Sequence, residues 1–322
     1  MLKTLITTFL KLLIAFALIF WLLRSGKLDL SLLGELGKNP LGVFTSVALA
    51  IANLLIISVR WKGILKARNS TDIPLLGLLR TNWIGMFFSS VLPGSVSGDL
   101  VKVIYVQEYD PKLSKKFVFV SILIDRVMGL AGLILIVGIS SVLFQGHILE
   151  NAPAMKPLLQ INYLLSFLVI LGMGVFVFFD RFVRKLFTAA EKLLFPKIWQ
   201  KFGDLWDDLV LIKSQMLKAV CLSLLVQFFT VVIFYALVAP FTEGKMDFTQ
   251  ALAFIPLGHI MLALPIAPSG LGVGHAIFQK LFEFSGITNG ASLFNLYFVV
   301  TLCVNVAGVI PYLLSKKKKK TN

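Results

Sequence analysis

Apolar residues in this chain come in blocks of roughly twenty, the length of helix that crosses a bilayer core of about 30 Å. Leu5 to Leu23, Leu41 to Val59, Phe117 to Phe144, Ile161 to Phe179, Ala219 to Phe241 and Ser292 to Leu314 all qualify. Two further apolar stretches, Pro74 to Val106 and Gln250 to Gly286, are interrupted by Pro and Gly. Backbone inside hydrocarbon has to satisfy its own hydrogen bonds, so these segments are expected to be helical. At 57% hydrophobic and 15% charged residues the chain is too apolar for a soluble domain. The first block looks like a secretion signal, but it runs on to Leu23 and Arg24 without a small-x-small cleavage site, so it reads as an uncleaved span.

The net charge is +15, and its placement orients the spans. Met1 to Lys11, Arg60 to Pro74, Lys102 to Lys116, Arg181 to Lys218 and Lys316 to Asn322 hold 23 of the 31 basic residues. Arg24 to Pro40, Gly146 to Gln160 and Thr242 to Thr249 hold five. The first set is expected on the cytoplasmic side, with both termini, and the second outside. The chain is then a multi-pass protein of the cell membrane. No stretch interleaves clustered cations with aromatics as strand binding requires, so nucleic acid is not an expected partner. The run Lys316 to Lys320 follows a span and suits anionic lipid.

Cys221 and Cys303 both fall in expected spans and imply no disulfide framework. Three scattered histidines do not make a metal site, and no cofactor is expected. Gly-x-Ser-x-Gly, Walker and His-Glu-x-x-His motifs are all missing, so no catalytic residue is assigned.

Basic loops on both sides of Pro74 to Val106 predict a hairpin that enters and leaves on the cytoplasmic side. Weakly charged loops around Gln250 to Gly286 predict one dipping from outside. The expected fold is an all-α polytopic membrane protein: six full transmembrane helices plus two re-entrant helical hairpins, eight hydrophobic segments in all. It forms one domain with internal halves of about 1–146 and 147–322. Three crossings per half make this an inverted repeat, an architecture of secondary transporters. In the loop 181–218, Phe202, Leu205, Trp206, Leu209 and Val210 recur at helical spacing and predict an amphipathic surface helix.

The hairpin tips are the expected binding elements. The first runs Leu92-Pro93-Gly94-Ser95-Val96-Ser97-Gly98; the second carries Pro268, Ser269, Gly270 and Gly272. Broken backbone at membrane depth marks a packed core or a wet cavity. A half-helix starting there presents free N–H groups suited to phosphate or carboxylate; close helix packing on small residues is the alternative. Ionisable residues within the membrane are costly and point to function. Asp99, Lys102, Asp125 and Arg126 are such residues, and Asp99 and Lys102 are the expected partners of Arg126 and Asp125 respectively; they read either as a structural ion-pair network that fixes the hairpin or as a site where Arg126 or Lys102 contacts substrate directly. Arg80 is expected to snorkel to the interface, Lys280 to pair with Glu283, and Trp21, Trp61, Trp83 and Tyr109 to anchor at the interface. His275 follows the second tip, as a packing residue or a proton relay.

Four motifs in order carry a family resemblance: Arg60-Trp61, Leu92 through Lys102, Asp125-Arg126-Val127-Met128-Gly129-Leu130, and Pro268-Ser269-Gly270-Leu271-Gly272. Together the chain resembles the lysylphosphatidylglycerol synthase transmembrane family of flippase-like proteins. The resemblance implies movement of aminoacylated or other anionic lipids between leaflets. Longer members attach the amino acid with a C-terminal cytoplasmic domain; this sequence stops at its lysine tail, so the stand-alone branch fits and synthase activity is not implied. Asp99, Lys102 and His275 stand where the family commonly has Glu, Arg and Glu.

The leading expectation is a flippase or transporter whose partners are membrane lipids, an anionic phospholipid or lipid-linked substrate. Its site would lie between the two hairpins, with Arg126 and Lys102 drawing the head group and Asp99 and Asp125 positioning them. A membrane-embedded lipid or lipid-linked-sugar transferase with Asp99 as base, and a non-transporting scaffold, are the alternatives. Self-association into a homo-oligomer is left open.

Overall fold

The structure, a computed structural model, describes residues 33–68, 72–92, 97–193, 196–263 and 273–314. The expected first span, Leu5 to Leu23, and the tail Lys316 to Lys320 lie outside them. Most of the described residues are helical, with no strand among them. Five segments are long and apolar enough to cross a membrane: Pro40–Leu65, Lys115–Asn151, Pro153–Phe178, Lys213–Phe241 and Gly290–Leu313.

After a short α1 (Leu33–Gly37), α2 (Pro40–Leu65) opens on a cap that its sequence dictates. The Asn39 side chain accepts from the Gly42 N–H at 3.0 Å, and Pro40 occupies the first turn, where its missing donor costs nothing. Next, α3 (Leu75–Val91) stops at Leu92, the residue before Pro93, where a following proline disfavours helix. The chain returns as α4 (Ser97–Tyr109), then turns at 110–114 into α5 (Lys115–Asn151). Ser114 caps α5 by accepting from Phe117 N–H, and Phe144 interrupts its helical dihedrals.

The second half starts with α6 (Lys156–Phe178), the least buried of the long helices. Two amphipathic helices follow, α7 (Asp180–Leu193) and α8 (Pro196–Val210), where the sequence predicts one. They pack on each other through Phe187, Trp199 and Trp206, and Trp206 reaches Phe176 of α6. Then come α9 (Met216–Val238), α10 (Phe248–Ala263), α11 (Val273–Glu283), α12 (Gly290–Val306) and α13 (Val309–Leu313). Asp247 and Gln250 cap α10 reciprocally, each side chain accepting from the other's N–H.

Both interrupted stretches fold as antiparallel helical hairpins. In α3–α4, Gly77 lies against Tyr109 and Gly85 against Lys102. In α10–α11, Gly258 lies against Phe278 and Gly274 against Leu262. At 1.5 Å per residue the 13 residues of α4 and 11 of α11 extend only about 20 and 17 Å.

The centre of the bundle is the antiparallel pair α2 and α9. Asn39 donates to the Ala236 carbonyl, Ser46 to Ile233 and Asn53 to Val226. Around this pair the contacts recur in matched sets. Helix α5 packs on α9 and α10 as α12 packs on α2 and α3, and α4 meets α5 as α11 meets α12. The largest core fills the space among α5 and α9 to α12. There Phe278 stacks on Phe294 at 4.8 Å and on Phe234 at 4.9 Å. Such aromatic pairs contribute about 0.5–1.5 kcal/mol each beyond their buried area. A second core, with Trp61, Leu78, Val106 and Phe117, joins α2 to the first hairpin and α5.

A charged cluster at the first hairpin

The side chains with charge inside the bundle gather where α2, α4 and α5 meet. Helix α5 supplies the meeting face: Ser121, Asp125, Gly129 and Gly132 recur every three or four residues and so share one side. Small residues on that side let α9 approach, and a Cβ added at Gly132 would lie 2.8 Å from the Ser223 Cβ.

Asp125 is held by Arg60 of α2 and not by Lys102. Arg60 Nε donates to Oδ1 at 2.7 Å and Nη2 to Oδ2 at 2.9 Å. Its Nη1 donates to the Ser223 hydroxyl of α9 at 2.7 Å, and that hydroxyl donates to the Ala219 carbonyl. Arg60 is 5% exposed, so this forked contact is a buried ion pair with every arm of the guanidinium engaged. The neighbour Trp61 is also buried, at 1% exposure, and donates its indole N–H to Ser121, one turn before Asp125. Trp61 is therefore a core residue and not an interfacial anchor. An indole satisfied by a buried hydroxyl gains nothing at a membrane surface.

Asp99 and Arg126 pair as the sequence predicts, Oδ2 to Nη2 at 2.8 Å. Lys102 stands one turn from Asp99, its Nζ 4.0 Å from Oδ1 and 5.8 Å from the centre of the Trp61 ring. The tight crossing of the hairpin permits this. A Cβ at Gly98 would collide with the Gly85 carbonyl and the Ser89 hydroxyl, and one at Gly85 would lie 2.7 Å from Lys102 Cε. Ser97 ties the return helix to α3 by donating to the Phe88 carbonyl at 3.4 Å.

Asp99, Lys102, Asp125 and Arg126 thus form one neighbourhood, joined by Arg60, which sequence reasoning placed in a family motif but not in the site. Three cations meet two carboxylates there. From position 73 to 107 the sequence holds no acidic residue but Asp99, and from 111 to 149 none but Asp125. Arg126 is 45% exposed while its partner Asp99 is 5% exposed. The surface around Arg126 is apolar, with Leu100 and Ile104 of α4 and Leu123, Val127 and Leu130 of α5 all exposed.

Pro93, Gly94 and Ser95 of the first tip, and Pro268, Ser269, Gly270 and Gly272 of the second, lie outside the described residues. His275 packs edge-on against Phe294 at 5.1 Å, with its Nδ1 buried and, among the described residues, without a hydrogen-bond partner. It shares no ion pair with the cluster at the first hairpin. Arg80 donates from its Nε to the Pro311 carbonyl of α13 at 3.3 Å and so links that helix to α3. Lys280 and Glu283 pair at 3.1 Å as expected. Among the described residues no group of His, Cys, Asp and Glu is arranged to hold a metal.

Comparison with known proteins gives two similarities. A sequence model of the lysylphosphatidylglycerol synthase TM region matches residues 8–310. A UPF0104 membrane protein of Pyrococcus horikoshii is 20% identical over 268 residues, covering 76% of this chain and 77% of that protein. No solved structure matches.

Proposed function

Because this chain belongs to the lysylphosphatidylglycerol synthase TM region family, a family of membrane proteins, we propose that it binds an anionic polar lipid at the first hairpin and carries it between leaflets. The observation that carries this reading is the excess of cations over carboxylates at one place in the bundle. Among the described residues, Arg60, Lys102 and Arg126 gather around Asp99 and Asp125, and Arg126 brings its charge to an apolar surface. A phosphate at Lys102 and Arg126 would balance the cluster.

A lipid suits the surroundings better than a water-soluble anion. Arg126 reaches the surface between rows of exposed Leu, Ile and Val on α4 and α5, where acyl chains pack and water gains nothing. On this reading the head group rests on the guanidinium and the tails stay in the bilayer. Asp99, the base a transferase would need, is engaged by Arg126 at 2.8 Å.

The transport half of the proposal draws on symmetry. The antiparallel α2 and α9, the two hairpins and the matched contacts of α5 and α12 support an inverted repeat of 1–146 and 147–322. The shortness of α4 and α11 supports hairpins that re-enter, the first from the cytoplasm and the second from outside, with both termini cytoplasmic.

Translocation tests the reading. Phosphatidylcholine proteoliposomes carrying tail-labelled fluorescent phosphatidylglycerol are treated with an impermeant quencher, and the protected fraction is followed with time. Wild-type protein should deplete the protected pool, and Arg126→Ala and Lys102→Ala should slow this strongly. Equal rates in wild type and both variants would refute it.

A further inference from the structure

Beneath the amphipathic pair the bundle leaves an apolar cavity of about 110 Å³. Ile64 of α2, Ile124 and Met128 of α5, Phe176 of α6, Leu209 of α8 and Ala219 of α9 wall it, and every lining side chain is apolar. Trp206 of α8 packs on Phe176 at 5.4 Å and donates its indole N–H to the Asp180 carbonyl. The Asp180 carboxylate takes Lys213 at 3.0 Å. The roof is therefore fastened to the bundle at both its entry and its exit.

Water has no reason to enter. A buried water needs two to four polar partners, and this lining offers none. A cavity of about 150 Å³ with similar walls stays dry and takes up benzene or xenon. This one has the size for a short length of alkyl chain and no partner for a head group. Four of its walls, α2, α5, α6 and α9, are helices long and apolar enough to span the membrane. Helix α6 is open along its length, exposing Leu164, Phe167, Leu168, Ile170 and Leu171. Hydrocarbon is the medium that meets such a helix.

We propose that this cavity binds the hydrocarbon tail of a membrane lipid, at a site separate from the cluster of Arg126 and Lys102. Arg126 is two positions from both Ile124 and Met128, which places it about 200° around α5 from the cavity wall. The tail lies against the reverse side of the backbone that holds the ion pair. Ile64 is one turn beyond Arg60, Ile124 adjoins Asp125, and the Ala219 carbonyl receives the hydroxyl of Ser223, on which Arg60 rests.

The test uses the full chain in phosphatidylcholine vesicles that contain a phosphatidylcholine with a photoreactive diazirine at the end of one acyl chain. After illumination, labelled residues are located by peptide mass spectrometry. The expected result is label on Met128 and on Ile64 or Leu209, besides label on the outward residues Leu164 and Leu168. Ala219→Leu should abolish the cavity label and leave the α6 label in place. Leu209→Trp fills the same space from the roof, so a folding defect in the first variant does not leave the test undecided. Label confined to outward residues in wild type, or cavity label that survives both substitutions, overturns the proposal. The probe lipid is zwitterionic, and Arg126→Gln should leave the cavity label unchanged. Failure here is thereby distinguishable from failure of the anionic-lipid reading.

Discussion

Arg60 and Asp125, 65 positions apart in sequence, meet through two hydrogen bonds of 2.7 and 2.9 Å inside the bundle. The pair joins α2 to α5, and the third arm of the guanidinium reaches α9 through Ser223. Two consecutive residues of α2 thus grip two consecutive turns of α5, since Trp61 takes Ser121 while Arg60 takes Asp125.

Removing one partner should cost far more than removing both. Arg60→Met or Asp125→Leu strands a buried charge and should destabilise by about 3–5 kcal/mol. The double variant exchanges the pair for apolar groups and should recover a large part of that loss. Thermal unfolding of the three proteins in one detergent measures it. A double variant no more stable than the weaker single would show that charge burial is not what the pair resolves.

The hairpin crossing predicts opposite outcomes for two glycines. In an open helix Gly→Ala gains up to about 1 kcal/mol. Gly172 of α6 has open space where a Cβ would go, so Gly172→Ala should leave the melting temperature unchanged or raise it. At Gly98 the added carbon meets the Gly85 carbonyl, so Gly98→Ala should lower it.

Lys102 and Arg126 should divide the affinity for an anionic head group. A hydrogen bond to a charged group contributes about 1.5–3 kcal/mol, roughly a tenfold change in binding or more. Lys102→Met and Arg126→Gln should each weaken retention of phosphatidylglycerol, but not of phosphatidylcholine, in native mass spectrometry. Gly85→Ala should weaken it too, because the new methyl displaces the Lys102 stem.

The anchor of the amphipathic pair should respond to acid only. The hydrogen bond from Lys213 holds the Asp180 carboxyl below the usual carboxylate range. A depressed folded value means that the contribution is present above the unfolded value, near pH 4, and is lost as pH falls through the lower folded one. The emission of Trp206, in a protein whose other tryptophans are Phe, should stay constant from pH 8 to about 5 and shift only below about 4. Asp180→Asn should show the shifted emission at every pH.

Five of the six expected spans, and the antiparallel pairing of α3 with α4 and of α10 with α11, were legible because block length and Pro-Gly breaks are local signals. Asp99 with Arg126 was legible because the two are among the few charges in apolar sequence. The partner of Asp125 was not. Arg60 ends a span, where a cation ordinarily reads as a topology signal, and nothing local says that α2 runs deep enough to bring it beside α5. Trp61 misled for a related reason: an amphipathic ring near a span end has the composition of an anchor, and only Ser121 across the contact turns it inward. The spacing of Ser121, Asp125, Gly129 and Gly132 was a usable clue to the buried face of α5. Helix α7 was overlooked although Phe182, Val183, Leu186 and Phe187 recur at helical spacing; its partner α8 supplies the other half of the aromatic cluster.

The α2–α9 seam is stitched by polar side chains at Asn39, Ser46, Asn53 and Arg60, from one end of α2 nearly to the other. Sliding by a single turn would break all of those stitches at once, with each severed group left in a medium that offers no replacement. The two helices are therefore locked in a single register along almost the whole length of α2.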